Sequence, residues 1–175
     1  YPHRLRIAGE TIYFTFGDAF EALPLAGGSP RVVRRVDPAS VLWLGTAWLL
    51  GADERGIYVC DYWAKKPSGP VACSLTLTAP DGSPLGYLVD PAAGFQKYLY
   101  DADVFATDDR YAYWTQLDDG AGPDDPQPAN ALVRVPKTGG TPCVVDARTT
   151  RQFAVDETRI TYATSGGISM RRKLL

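Results

Sequence analysis

Four aspartates, Asp118, Asp119, Asp124 and Asp125, cluster in a stretch rich in Gly and Pro. Several carboxylates on one flexible loop offer the hard oxygen ligands that calcium takes. Their spacing lacks the alternating Asp/Asn, the Gly and the closing Glu of an EF-hand. A solvated acidic loop is the first expectation and a calcium site the second. Tyr62-Trp63, followed by Lys65 and Lys66, is another candidate. Aromatic rings beside cations give large contact area at modest entropic cost, which suits a protein or glycan partner. Trp63 also reads as a cover for a neighbouring sheet. Cys60 and Cys73 would lie on adjacent strands, near opposite one another. A disulfide there would contribute about 3 kcal/mol by closing the loop and would fit an oxidising compartment. Two buried thiols are the alternative. Cys143 is left free or buried, because three cysteines allow at most one intrachain pair.

Other chemistry is missing from the chain. His3 is the only histidine, so neither a Ser-His-Asp triad nor a histidine-based metal site can be assembled. No Gly-rich phosphate loop follows a strand and opens a helix. No catalytic residue is predicted, and no cofactor beyond the calcium reading. The formal net charge is −2 with dispersed basic residues, which argues against a nucleic-acid footprint. The apolar run Val41–Gly51 is too short to span a bilayer and reads as a buried strand pair. Tyr1-Pro2-His3-Arg4 shows neither an initiator Met nor a signal pattern, and reads as a chain cut from something longer, or processed.

The elements that must position these residues recur in a fixed order. A turn leads into an aromatic strand at Gly9–Phe14, Asp53–Val59, Asp108–Trp114 and Asp156–Tyr162. A turn ending in Pro follows at Gly27–Pro30, Asp81–Pro84 and Gly139–Pro142. A Val-Asp connector comes next at Val36-Asp37, Val89-Asp90 and Val145-Asp146. The period of roughly 45 to 58 residues is that of propeller blades. Each unit reads as four strands, A to D, with alternation clearest in strand C at Leu132-Val133-Arg134-Val135. Asp53, Asp108 and Asp156 sit at the A-to-B turn, where a carboxylate caps backbone amides. Loops from B to C differ in length: Gly17-Asp18 in the first unit, Asp61–Pro70 in the second and Leu117–Asn130 in the third. Binding functions concentrate on such loops, although drift in a tolerant surface loop gives the same picture.

One four-stranded unit cannot bury both its faces, and stacking around an axis can. The expected fold is all-β, with β-propeller blades of four antiparallel strands. Blade 1 covers about 4–36, blade 2 about 46–90, blade 3 about 102–146 and a partial blade 4 about 151–175. About three and a half blades leave apolar faces open, which predicts one partial propeller over 1–175 inside a ring of about six to eight blades. A β-sandwich is the competing architecture.

Tyr113-Trp114-Thr115 and Val133–Pro142 resemble the repeats of bacterial YWTD-like and TolB-like propeller proteins. In those, an Asp-led Tyr-Trp-[Thr/Ala] strand precedes a Pro-x-Gly-Gly hairpin. The fourth unit matches through Phe153–Asp156 and Tyr162-Ala163-Thr164. The first matches through Ile12–Thr15 and Leu23–Gly28. The second departs at Cys60-Asp61, and Gln116 replaces the acidic end of the third motif. The resemblance implies blade geometry in a secreted, cell-surface or periplasmic protein, and implies no particular activity. The resulting expectation is a non-enzymatic module that binds a protein or glycan through its long B-to-C loops. The alternatives are a propeller lyase or hydrolase with a divalent metal in its axial channel, and a structural subunit that completes a ring with another chain.

Overall fold

A computed structural model describes residues 3–36, 47–64, 71–89, 104–117, 130–149, 152–164 and 166–173. These residues form strands and turns, with no helix among them. The strands make four antiparallel sheets. The first sheet holds β1 (His3–Ala8), β2 (Thr11–Phe16), β3 (Ala19–Pro24) and β4 (Arg31–Arg35). The second holds β5 (Ala47–Asp53), β6 (Gly56–Ala64), β7 (Val71–Thr78) and β8 (Pro84–Val89). The third holds β9 (Phe105–Thr107), β10 (Tyr111–Leu117), β11 (Asn130–Pro136) and β12 (Cys143–Thr149). The fourth holds β13 (Phe153–Val155), β14 (Arg159–Thr164) and β15 (Gly167–Arg172). Every sheet is a meander whose sequence neighbours pair, and none of the four closes on itself. The first two sheets belong to one compact unit, residues 1–96, and the last two to another, residues 97–175.

In the first unit, β1 and β2 pack against β5. The core between the two sheets contains Tyr13, Phe20, Ala22 and Val33 from one side and Ala47, Leu49, Ile57 and Val59 from the other. Alternation along the strands produces this: residues two apart share a face, so Leu49 and the Ile57–Val59 pair meet Tyr13. Polar groups assist. Arg6 Nε donates to the Leu50 carbonyl at 2.7 Å, and the Arg4 guanidinium lies 4.1 Å from the centre of the Trp48 ring. The other face of the second sheet is buried as well, through Leu50, Tyr58, Cys60, Leu75 and Leu77.

Glycine is required where strands crowd. Gly56 opens β6 at φ +138°, and an added Cβ would overlap the Thr78 carbonyl oxygen on β7. Gly82, at φ +95°, brings the β7–β8 turn close to β4, where a Cβ would stand 2.6 Å from the Val33 oxygen. Both demands, positive φ and backbone contact, exclude a side chain.

In the second unit, β9 packs on β13 and β12 on β14. Tyr113 and Leu132 meet Ile160 and Tyr162, with Tyr111, Val145, Phe153 and Val155 around them. The aromatic strand expected at Tyr113-Trp114-Thr115 is β10, and all three residues are buried. Its partner β11 pairs in unbroken register from Tyr111↔Pro136 to Leu117↔Asn130.

Candidate binding end

The meander divides each sheet into two ends with different tasks. The first-to-second and third-to-fourth strand turns lie at one end. The second-to-third connection and the link onward to the next sheet lie at the other.

In the second, third and fourth sheets an aspartate holds the first end. Asp53 Oδ1 accepts the Arg55 N–H at 2.9 Å. Asp108 Oδ1 accepts the N–H groups of Arg110 and Tyr111 at 2.8 and 2.7 Å. Asp156 Oδ1 accepts those of Thr158 and Arg159, both at 2.7 Å. Each carboxylate thus satisfies backbone donors that the turn leaves open. In two cases the second oxygen locks the strand as well. Tyr58 Oη donates to Asp53 Oδ2, and Tyr113 Oη to Asp108 Oδ2, both at 2.7 Å. The spacing from Asp to Tyr is the same in each, and that shared spacing was the signal in the sequence. Burial, then the bond to the neighbouring carboxylate, pushes both phenols well above their ordinary range. The backbone bonds from Thr158 and Arg159 lower the Asp156 carboxyl.

Asp108 carries one more partner. Lys173 Nζ lies 2.7 Å from its Oδ2, and both side chains are only 9% exposed. Burial alone would raise this carboxyl. Lys173, the Tyr113 hydroxyl and the two backbone N–H groups outweigh that and leave it at about 2, below the usual 3.8. An open cleft of about 600 Å³ adjoins, lined by Thr107, Asp108, Asp109, Val155, Asp156 and Glu157. Asp108 and Asp156 are engaged in the turns just described, so two of its four carboxylates serve the fold.

The opposite end carries polar links between sheets. Arg34 Nη2 on β4 donates to both Asp61 oxygens on β6, at 2.8 and 2.9 Å. Its Nη1 donates to Thr76 Oγ1 on β7 at 2.8 Å, and that hydroxyl lies 3.0 Å from Asp61 Oδ2. The two charged side chains are each 27% exposed. In the second unit the inter-sheet link lies nearer mid-strand, where Asp146 on β12 accepts from Tyr162 Oη at 2.9 Å and from Arg171 Nη2 at 3.2 Å. Sequence reading missed both links, because the partners lie far apart in the chain and neither pair has a local pattern.

The residues proposed from sequence divide as follows. Tyr62 and Trp63 were expected in a loop starting at Asp61. Instead β6 runs to Ala64, with Tyr62 paired to Cys73 and Trp63 to Ala72. Aromatic residues suit a strand, and Val71–Ser74 offers them a partner in register, so the connection shrinks to 65–70. Lys65 and Lys66 lie outside the described residues, as do Asp118, Asp119, Asp124 and Asp125 in the connection 118–129 between β10 and β11. Cys60 is buried and opposes Leu75, while Cys73 opposes Tyr62. The two cysteines are therefore diagonal neighbours and not directly opposite. Cys143 is free and exposed at the start of β12, with Arg134 Nε 3.4 Å from its sulfur.

Among the described residues no group of three or more His, Cys, Asp and Glu side chains is arranged to hold a metal ion. Among them, too, no helix is long and apolar enough to cross a membrane. In the first unit Arg34, Asp61 and Thr76 tie β4 to β6 and β7. No protein-family model matches the chain, and no curated protein matches it in sequence.

Proposed function

We propose that this chain is a non-enzymatic recognition module of the β-propeller type, related to YWTD-like and TolB-like repeats. It acts outside the cell, at the surface or in the periplasm, and binds a protein or glycan through the end that bears the long connections. One observation carries this reading. Each meander, three of four strands and one of three, joins its own second and third strands by a connection, 17–18, 65–70, 118–129 or 165–166, so within each sheet the strand order is kept while the length of this connection varies. Function grafted onto variable loops of a fixed scaffold is the common arrangement for binding. The aspartate turns at the other end supply the rigidity that keeps the cost of ordering the binding surface low.

The acidic connection 118–129 and the Tyr62-Trp63 strand end are the proposed contact residues, with the carboxylates of Asp118, Asp119, Asp124 and Asp125 as ligands for calcium. A Cys60–Cys73 disulfide belongs to the same proposal. A bond there would brace β6 and β7 at the base of 65–70.

The test is binding to a glycan array and capture of protein partners by the intact chain. A variant lacking 118–129 and carrying Tyr62→Ser and Trp63→Ser is run beside it. Loss of capture in a variant that keeps its β-sheet circular dichroism supports the reading, whereas undiminished capture overturns it. Peptide mapping without reductant checks the bridge: a linked pair of peptides containing Cys60 and Cys73 is expected.

A further inference from the structure

The first sheet wears its interior on the outside. On β1 the positions facing the second sheet are Arg4, Arg6 and Ala8, while Leu5 and Ile7 face away and are 54% and 58% exposed. On β2 the inward positions are Thr11, Tyr13 and Thr15, and the outward ones are Ile12, Phe14 and Phe16. Register sets Ile7 beside Ile12, Ile12 beside Leu23, Phe14 beside Glu21, and Glu21 beside Val32. The outer surface is thus a continuous apolar field holding one carboxylate. Arg35, at its loop-bearing edge, is paired with Asp18 at 3.3 Å. A sheet face meant for water alternates to polar residues, and an apolar patch of this extent marks an interaction surface.

The fourth sheet has a matching outer face. Ile168 and Met170 are 78% and 64% exposed, and they pair with Ala163 and Thr161. At one edge Arg159 stands directly opposite Arg172. Like charges so placed repel, and an anion between them would relieve it. Glu21, set in the apolar field of the first sheet, supplies that charge. A first sheet meeting another first sheet would instead bring two Glu21 carboxylates together.

We propose that the chain self-associates head to tail, the outer face of the first sheet of one copy covering the outer face of the fourth sheet of another. The packing is the sheet-on-sheet kind already present inside each unit. The fourth sheet, three strands about 4.8 Å apart and at most about six residues long, limits the footprint to roughly 300 Å². That is small for a specific interface, so association is expected to be weak, in the range of tens to hundreds of micromolar.

Sedimentation velocity of the 175-residue chain over a concentration series tests this, with Ile7→Glu and Met170→Glu as variants. Both positions are exposed, so both variants are expected to keep the sheet signal in circular dichroism. The intact chain is expected to gain mass with concentration, and each variant alone to stay monomeric. A mixture of the two variants forms a dimer and nothing larger, because only one complementary pair of faces survives. Deleting 118–129 leaves association unchanged, which separates this surface from the loop-bearing end. A monomer at every concentration overturns the proposal. So does association that survives Met170→Glu, which would mean that first sheets pair with each other, and so does a mixture that fails to assemble.

Discussion

Asp108→Asn is the most informative single substitution. The carboxylate accepts two backbone N–H groups through Oδ1 and faces the Tyr113 hydroxyl and Lys173 ammonium through Oδ2, the last two at 2.7 Å. An asparagine can keep Oδ1 in the turn, but it then presents an amide N–H to two other donors and leaves a buried cation without a counter-charge. The shift of the carboxyl from 3.8 to about 2 corresponds to about 2 kcal/mol. Breaking a buried pair costs about 3–5 kcal/mol. The expected loss at neutral pH is therefore about 3 kcal/mol, a fall in Tm of roughly 10–20 °C for a unit this small. The folded carboxyl lies below its unfolded value, so its contribution is complete above 3.8 and is lost as pH falls through about 2. Urea titrations followed by tryptophan fluorescence should show a wide gap between wild type and variant at pH 7 that narrows steadily in acid. Adding Lys173→Met to Asp108→Asn removes the stranded charge and should recover part of the loss. A gap below about 1 kcal/mol at neutral pH, or one that stays constant down to the folded carboxyl value, would refute this account of the turn.

Two further outcomes are expected. Gly56→Ala forces a Cβ onto the Thr78 oxygen at positive φ, and should cost at least about 3 kcal/mol, read as a lower urea midpoint with unchanged slope. Arg34→Met and Asp61→Asn, made singly and together, should show a coupling of about 1–3 kcal/mol in a double-mutant cycle; an additive cycle would mean that the bidentate pair holds nothing between the two sheets.

The strands were largely legible because their causes are local. The alternation of Leu132-Val133-Arg134-Val135 and the aromatic run Tyr111–Trp114 are period-2 patterns, and both became paired strands. The aspartate turns were legible for the same reason, since a carboxylate reaches the amides two and three residues ahead without help from the rest of the fold. Where the reading failed, the cause was distant. Nothing near Asp61 announces that Arg34 will bind it, so the strand seemed to end at a charged residue. In the structure that charge is neutralised across the sheet interface, and β6 continues beneath the proposed site. Lys173 was invisible in the same way: its partner lies 65 positions earlier, at Asp108.

The inward and outward faces of β1 and β2 make the point most sharply. Hydrophobicity alone would turn Leu5, Ile7, Ile12, Phe14 and Phe16 toward the core and leave Arg4, Arg6 and Thr15 in water. The observed choice is the reverse, and the second sheet explains it. Arg6 finds the Leu50 carbonyl and Arg4 the Trp48 ring, so both arginines have partners in the interface. Tyr13 supplies the apolar bulk that the core needs. The more hydrophobic face of the two strands is then left over. A strand pair whose arginines already have partners inside its own unit has its apolar side available for a different contact, and the side chains that look most like core are those that face outward.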